Sequence, residues 1–310
     1  MSKKAVLAYS GGLDTSYCLV NLTQEQGMEM HTVIVNTGGF SKEELKEIEK
    51  RAYELGSAKH VTIDITEKYF TDCIRFLIYG NVLKNNTYPL SVSAERMFQS
   101  IAIAEYAKEI DAEYIVHGST GAGNDQIRFD LAFAVISPQS KIITPIRDEK
   151  LSRQQEVDYL QSKGVHYSWE KAKYSINKGI WGTSVGGVET LTSDQPLPEE
   201  AYPTQLSKTE PSVIEIEFEK GIPTALNGEK LTAVELIQKL NEIGGEYAIG
   251  RDIHVGDTIL GIKGRVGFEA PAAHLLIKAH HLLEKHTLTR WQLLHKDTLA
   301  NWYGTLLHEA

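Results

Sequence analysis

Between Val6 and Gly164, short β-rich runs alternate with longer amphipathic stretches. An open parallel sheet wrapped by helices satisfies that alternation, because each parallel strand needs a crossover to bring the chain back. Val6 to Tyr9 reads as the first strand, Thr15 to Gly27 as a helix, and His31 to Asn36 as the second strand. Ser41 and Glu44 stand in capping-box spacing at the start of the next helix, which Gly56 ends. His60 to Ile65, Glu113 to His117 and Lys141 to Pro145 supply three more strands, separated by segments rich in Ala, Ile, Glu and Lys. The expected class is α/β: a parallel five-stranded sheet with helices on both faces. Ser152 and Gln155 cap one further helix closing at Gly164, so the first domain is expected over 1–168 and a second over 169–310.

The second half changes texture. Tyr174 to Pro203 is dense in Gly, Ser, Thr and Pro and reads as a long loop region, which needs a functional reason if ordered. Ile214, Ile216 and Phe218 then alternate with Glu215, Glu217 and Glu219 as a strand with one buried face, and Asn227-Gly228 is a hairpin turn signal. Thr232 and Glu235 cap a helix to Ile243, and two apolar-periodic helices follow from about Pro271, with Trp291, Trp302 and Tyr303 at helix-packing positions. The second domain is expected to be α+β.

Lys and Arg number 32 against 41 Asp and Glu, a net charge of −9, so the overall field repels a polyanion and no nucleic-acid partner is expected. Only Cys18 and Cys73 occur, which suits a reducing cytoplasm and supports neither a disulfide framework nor a thiolate metal site. No apolar run approaches the ~20 residues of a membrane span, so no membrane partner is expected. His274, His280, His281 and His286 lack a convincing ligand spacing and read as solvated or interface histidines, and no protein-held metal is expected. Cys18 reads as a buried small hydrophobe.

Ala8-Tyr9-Ser10-Gly11-Gly12-Leu13-Asp14-Thr15-Ser16 follows the first strand directly and opens a helix. Two successive glycines let several amides turn toward one point, and the helix start adds partial positive charge, which together make an anion nest. The segment is neither a Walker loop nor a dinucleotide fingerprint. A second constellation, His117 to Phe129, again follows a strand and opens a helix, so both loops are expected at one sheet edge. Within it Asn124, Asp125 and Arg128 offer an amide, a carboxylate and a cationic fork within one helical turn, a set suited to a zwitterionic amino acid. An Asn or Asp helix cap beside a solvated Arg is the plainer alternative.

Ser-Gly-Gly-x-Asp-Thr resembles the pyrophosphate loop of the N-type ATP pyrophosphatases, which split ATP between its α and β phosphates to adenylate an acceptor. Together with Tyr88-Pro89-Leu90, Tyr174 to Asn177, Trp181 to Ser184, Gly250-Arg251 and Gly261 to Arg265, the two motifs resemble those of the argininosuccinate synthase family along nearly the whole chain. That resemblance implies an adenine nucleotide alpha hydrolase-like domain followed by a synthetase domain, in a cytoplasmic homotetramer. It implies ATP with Mg2+, citrulline and aspartate, joined through citrullyl-AMP with release of AMP and pyrophosphate. By motif, Ala8, Tyr9, Ser10, Gly11, Gly12, Leu13, Asp14, Thr15, Ser16, Val35 and Gly118 would meet ATP. Tyr88, Ser93, Asn124, Arg128, Ser175 and Ser184 would meet citrulline, and Thr120, Asn124 and Asp125 would meet aspartate.

Two departures from the family pattern fall at Val255-Gly256-Asp257-Thr258, where members carry Val-Glu-Asn-Arg, and at Phe268, where members carry Tyr. The preferred expectation is that Asp257 replaces the missing acid or that the chain is a variant; an N-acylated, uncharged substrate amine and retention of citrulline by other groups are the competitors. The family's C-terminal arm is expected to be absent. A tRNA-modifying relative and a non-catalytic nucleotide-binding paralogue are the alternative functions.

Overall fold

The computed structural model describes residues 3–121, 123–167 and 173–310. The expected boundary at 168/169 and Ala122 of the second motif lie outside the described residues. In chain order the first elements are β1 (Lys4–Ala8), α1 (Leu13–Gln24), β2 (Glu29–Asn36), α2 (Lys42–Glu54) and β3 (Lys59–Asp64). Next come α3 (Thr66–Tyr69), a π turn (Phe70–Ile74), α4 (Arg75–Gly80) and α5 (Ser91–Glu109). They are followed by β4 (Tyr114–Val116), α6 (Asp125–Ile136), β5 (Lys141–Ile143), α7 (Pro145–Glu149) and α8 (Arg153–Ser162).

The five strands form one parallel sheet in the order β3-β2-β1-β4-β5. Successive side chains alternate between faces, and both faces are buried, as a parallel sheet requires. Ala5 and Leu7 enter one apolar cluster with Leu19 of α1, Ile146 of α7 and Leu160 of α8. Val6, Val33 and Val35 enter the other, with Ile103 of α5 and Phe133 of α6. Cys18 is fully buried in the first cluster, as the sequence predicts. The capping boxes at Ser41/Glu44 and Ser152/Gln155 both form.

Contacts divide the chain into two compact units. Residues up to Ile65, from Arg96 through Tyr167, and Ala310 form one, while Thr66–Glu95 cluster with residues 173–309. A division by chain order alone gives no place to this excursion, which carries Tyr88 and Ser93 into the second unit.

The rest of the second unit contains β6 (Ser175–Gly179), β7 (Gly182–Gly186), β8 (Ile216–Glu219), β9 (Ile222–Leu226), β10 (Glu229–Lys230) and α9 (Ala233–Glu246). It ends with β11 (Arg251–Asp257), β12 (Lys263–Glu269), α10 (Pro271–Thr287) and α11 (Arg290–Glu309). The strands form a three-stranded sheet, β10-β9-β8, and a four-stranded antiparallel sheet, β11-β12-β7-β6. The expected turn at Asn227-Gly228 does join β9 to β10, with both residues at positive φ. Thr232 and Glu235 form the expected capping box.

Two expectations fail here. The Gly- and Ser-rich stretch after Tyr174 begins with a β-hairpin, β6 and β7, rather than a loop. Its glycines serve close packing: a Cβ on Gly179 would fall 1.7 Å from Glu95 Oε2, so the composition that resembles a loop is a space requirement in a strand. Trp291 and Trp302, expected to be packed, are 59% and 68% exposed on α11. They share an outer apolar stripe with Leu294, Leu299 and Leu306, whereas Tyr303 turns inward toward Phe76 and Cys73. Among the described residues no helix is long and apolar enough to cross a membrane.

A Gly179→Ala chain should lose about 1–3 kcal/mol of stability because the buried Glu95 must yield. Urea unfolding followed by circular dichroism measures that loss.

Candidate active site

The site builds from the turn at the end of β1. Gly11 adopts a left-handed backbone, φ +73°, which glycine reaches without steric cost. Gly12 N–H donates to Ser10 Oγ (3.3 Å) and Thr15 Oγ1 donates to the Gly12 carbonyl (3.3 Å), closing the turn on itself. Gly12 is the N-cap of α1 and brings no side chain to cap it. The first i to i−4 bond of the helix runs from Ser16 N–H to the Gly12 carbonyl. The amides of Leu13, Asp14 and Thr15 therefore stand at the positive end of the helix with no cap side chain over them. Arg51 of α2 donates to the Gly11 carbonyl at 2.8 Å and pins the turn.

In the sheet, β1 lies between β2 and β4, so the loops after β1 and β4 border the point where the strand order reverses. Open α/β sheets bind ligands at such points. Gly118 brings the loops together: a Cβ on it would lie 3.2 Å from Asp14 Cβ and 3.3 Å from the Asp14 carbonyl carbon. The buried His117 holds the second loop. Its Nδ1 accepts from Ser119 N–H (3.2 Å), which leaves Nε2 to donate to Asp130 (3.0 Å), and Asp130 accepts from Arg147 at 2.6 Å. Burial alone would raise the Asp130 carboxyl, but hydrogen bonds from His117 and Arg147 outweigh it and hold the group below the usual carboxylate range.

Asn124 occupies the N-cap position of α6, yet its side chain makes no cap hydrogen bond. Asp125 Oδ1 accepts from Arg128 Nη1 and Oδ2 from Arg96 Nε, both at 3.2 Å. Arg128 is 3% exposed. The plainer reading, a helix cap beside a solvated arginine, therefore gives way to a carboxylate held between two guanidinium groups. Thr120 is exposed on the same loop, and Val35 packs in the core near the end of β2. Arg51, Arg96, Asp130 and Arg147 escape sequence reasoning because single charges on amphipathic helices look like any solvated face.

Tyr88, Ser93, Ser175 and Ser184 belong to the second unit. In the four-stranded sheet Asn177 pairs with Ser184, Ser184 with Phe268, and Phe268 with Asp252. These residues form one row on one face, and Ser175, two residues from Asn177, shares that face. Tyr88 covers it, with its ring 5.1 Å from His254 and 5.4 Å from Phe268. The Tyr88 hydroxyl accepts from Val92 N–H at 3.1 Å, and the buried Ser93 donates to the Leu90 carbonyl at 3.3 Å. Two of the six residues assigned to citrulline, Asn124 and Arg128, lie in the first unit, the other four in the second.

The expectation for Asp257 is overturned. Strand alternation puts Asp257 on the face opposite Gly256, exposed and paired with Lys263 at 2.6 Å, so it cannot stand in for an acid at position 256. Gly256 itself shares the Tyr88 face. His254 Nε2 lies 2.6 Å from where a Cβ at 256 would stand, so the imidazole fills that space. Burial, aided by the charge of Lys84, lowers the His254 pKa and keeps the ring neutral. The histidines of α10 need two corrections: His274 stacks on Phe268 with ring centroids 5.9 Å apart and its Nε2 buried, and His280 is buried with its Nδ1 donating to Asn81 Oδ1 at 2.9 Å. Among the described residues no three His, Cys, Asp or Glu side chains are grouped to hold a metal ion.

Residues 4–166 match the family model of the arginosuccinate synthase N-terminal HUP domain, and residues 174–310 match that of the arginosuccinate synthase C-terminal domain. The chain is similar to the argininosuccinate synthase of Methanocaldococcus jannaschii, 43% identical across 100% of this chain and 79% of the relative. The corresponding figures are 41%, 99% and 75% for the argininosuccinate synthase of Pyrococcus furiosus. For that of Sulfurisphaera tokodaii they are 38%, 99% and 78%.

Gly256→Glu should cost about 1–3 kcal/mol in a urea unfolding curve, because the new side chain meets the His254 ring. Adding His254→Ala should restore most of that loss.

Proposed function

The chain belongs to the argininosuccinate synthase family, ATP-using ligases that join citrulline to aspartate in arginine biosynthesis, and from that premise we propose that it works through citrullyl-AMP. The supporting observation is the pair of glycine-containing loops meeting at the strand reversal beside β1. Ala8 to Ser16 and Gly118 hold the triphosphate, with Val35 toward the adenine. Citrulline is held by Tyr88, Ser93, Asn124, Arg128, Ser175 and Ser184, and aspartate by Thr120, Asn124 and Asp125.

The ureido oxygen of citrulline attacks the α phosphorus in line, forming the carbon-oxygen-phosphorus link as the bond to the β phosphate breaks. The amides at the start of α1 stabilise the charge gathering on departing pyrophosphate. Asp125 and Asn124 then orient aspartate so that its neutral amine attacks the activated ureido carbon, and AMP leaves. Mg2+, held through the ATP phosphates at the β1 turn, would supply charge neutralisation there. The lost acid at position 256 leaves two readings of the substrate's α-nitrogen: citrulline bound through other groups, or an N-acylated citrulline.

We also propose a cytoplasmic homo-oligomer, a location suited to the free, buried Cys18 and Cys73. Its contact surface would include the exposed apolar side chains of α11, since large exposed apolar surface marks association.

ATP, citrulline and aspartate together should release pyrophosphate, and omission of either amino acid should prevent argininosuccinate formation. Pyrophosphate formed only with tRNA, or ATP binding without turnover, would overturn the proposal. N-acetylcitrulline in place of citrulline separates the two substrate readings by kcat/KM. Gly118→Val should raise KM for ATP on the order of tenfold or more, because the second loop is forced off the first turn of α1.

A further inference from the structure

The loop between β4 and α6 serves two ligands, since Gly118 meets the first turn of α1 while Thr120 and Asn124 are assigned to aspartate. Three of its residues, Gly118, Gly121 and Gly123, have no side chain with which to hold it in place. A binding loop that is not held in advance loses affinity when it orders, so the restraints on this one come from elsewhere. There are two, one on each side of Thr120. Before it, the buried His117 accepts from Ser119 N–H at 3.2 Å and donates to Asp130 Oδ1 at 3.0 Å. After it, Gln126 Nε2 donates to the Gly121 carbonyl at 2.6 Å and to the Gly123 carbonyl at 3.2 Å. Gln126 is buried in the first turn of α6, where side chains lean back over the helix N-terminus. Both amide hydrogens are committed to loop carbonyls, so Gln126 Oε1 has to face a donor. Arg147 of α7 supplies it: the same Nη1 lies 3.2 Å from Gln126 Oε1 and 2.6 Å from Asp130 Oδ2. One guanidinium nitrogen thus joins the two restraints.

We propose that Gln126 and Arg147 are positioning residues of the aspartate subsite: Gln126 ties down the loop segment next to Thr120, and Arg147 fixes which way the Gln126 amide points. This rests on the assignment of Thr120 and Asn124 to aspartate. Without a donor at Oε1 the amide is free to turn over, which sets its oxygen against two carbonyl oxygens and releases Gly121 and Gly123. The restraint through His117 and Asp130 does not pass through Gln126, so the approach of Gly118 to Asp14 survives that loss. Removing the Gln126 tie therefore separates aspartate binding from ATP binding.

The test is steady-state kinetics of the full chain, wild type against Gln126→Glu, an isostere whose carboxylate accepts but cannot donate and which keeps its place beside Arg147. KM for aspartate should rise at least about tenfold while KM for ATP stays within about threefold of wild type. Arg147→Met, which keeps the stem and removes the donor, should show the same split. Arg147→Lys can bring its ammonium to the position of Nη1, and it should stay within about threefold of wild type in both constants. Thermal melts establish that each variant is folded; should either the Glu or the Met variant fail to fold, the other carries the comparison. A smaller rise for aspartate, an equal rise for ATP, or a Lys variant as impaired as the Met variant overturns the proposal. Thr120→Val tests the assignment beneath it. No change in KM for aspartate there overturns the aspartate reading of the loop and this inference with it, whereas a rise at Thr120 without one at Gln126 overturns the inference alone.

Discussion

Strand β1 pairs in parallel on both edges, with β2 and with β4, and its last residue leads straight into the turn that opens α1. This placement sets the loop after β4 beside the first turn of α1, and Gly118 is the point where the two backbones approach. Removing the side chain at that position lets a helix start and a loop share one small volume. The rest of the first unit supports that contact. Arg51 ties the β1 turn to α2, and the His117, Asp130 and Arg147 chain of hydrogen bonds ties the β4 loop to α6 and α7. The two loops are thus held from four helices, α1, α2, α6 and α7, without demanding any unusual backbone except at Gly11.

In the second unit the same economy of space works through a sheet. Glycines in β6 and β7 let Ser91 and Glu95 approach, and the antiparallel register lines Asp252, Phe268, Ser184 and Asn177 across four strands. Tyr88 lies over that face, with His254 and Phe268 beneath its ring. The two departures from the family pattern are therefore one structural event. Gly256 and Phe268 share a face with His254, and a neutral imidazole occupies the space a longer side chain at 256 would need. Neighbouring residues of a strand face opposite sides of the sheet, so Asp257, one residue on from Gly256, is left in solvent with Lys263.

Much of the first unit is legible from sequence because its signals are local. Capping boxes at Ser41 and Ser152, alternation of β-rich and amphipathic runs, and the Gly11-Gly12 turn each act within a few residues. The second unit hides its strands. Local composition cannot distinguish a glycine that frees a loop from a glycine that admits a neighbour's side chain, and Gly179 is the second kind. Trp291 and Trp302 carry the same ambiguity, since helical periodicity reports that a stripe is apolar and not whether anything covers it.

What sequence by itself determined is therefore the parallel five-stranded sheet, the two loops at its edge and the family whose motifs they carry, all written in short-range spacing and capping chemistry. Tertiary structure alone decided the return of Thr66–Glu95 to the second unit, the face on which Gly256 and Asp257 part company, and the approach of Gly118 to Asp14. Those three outcomes join residues far apart in the chain, or depend on which side of a sheet is covered. The physical reason is that burial and strand register are properties of the packed whole, and no window of neighbouring residues contains them.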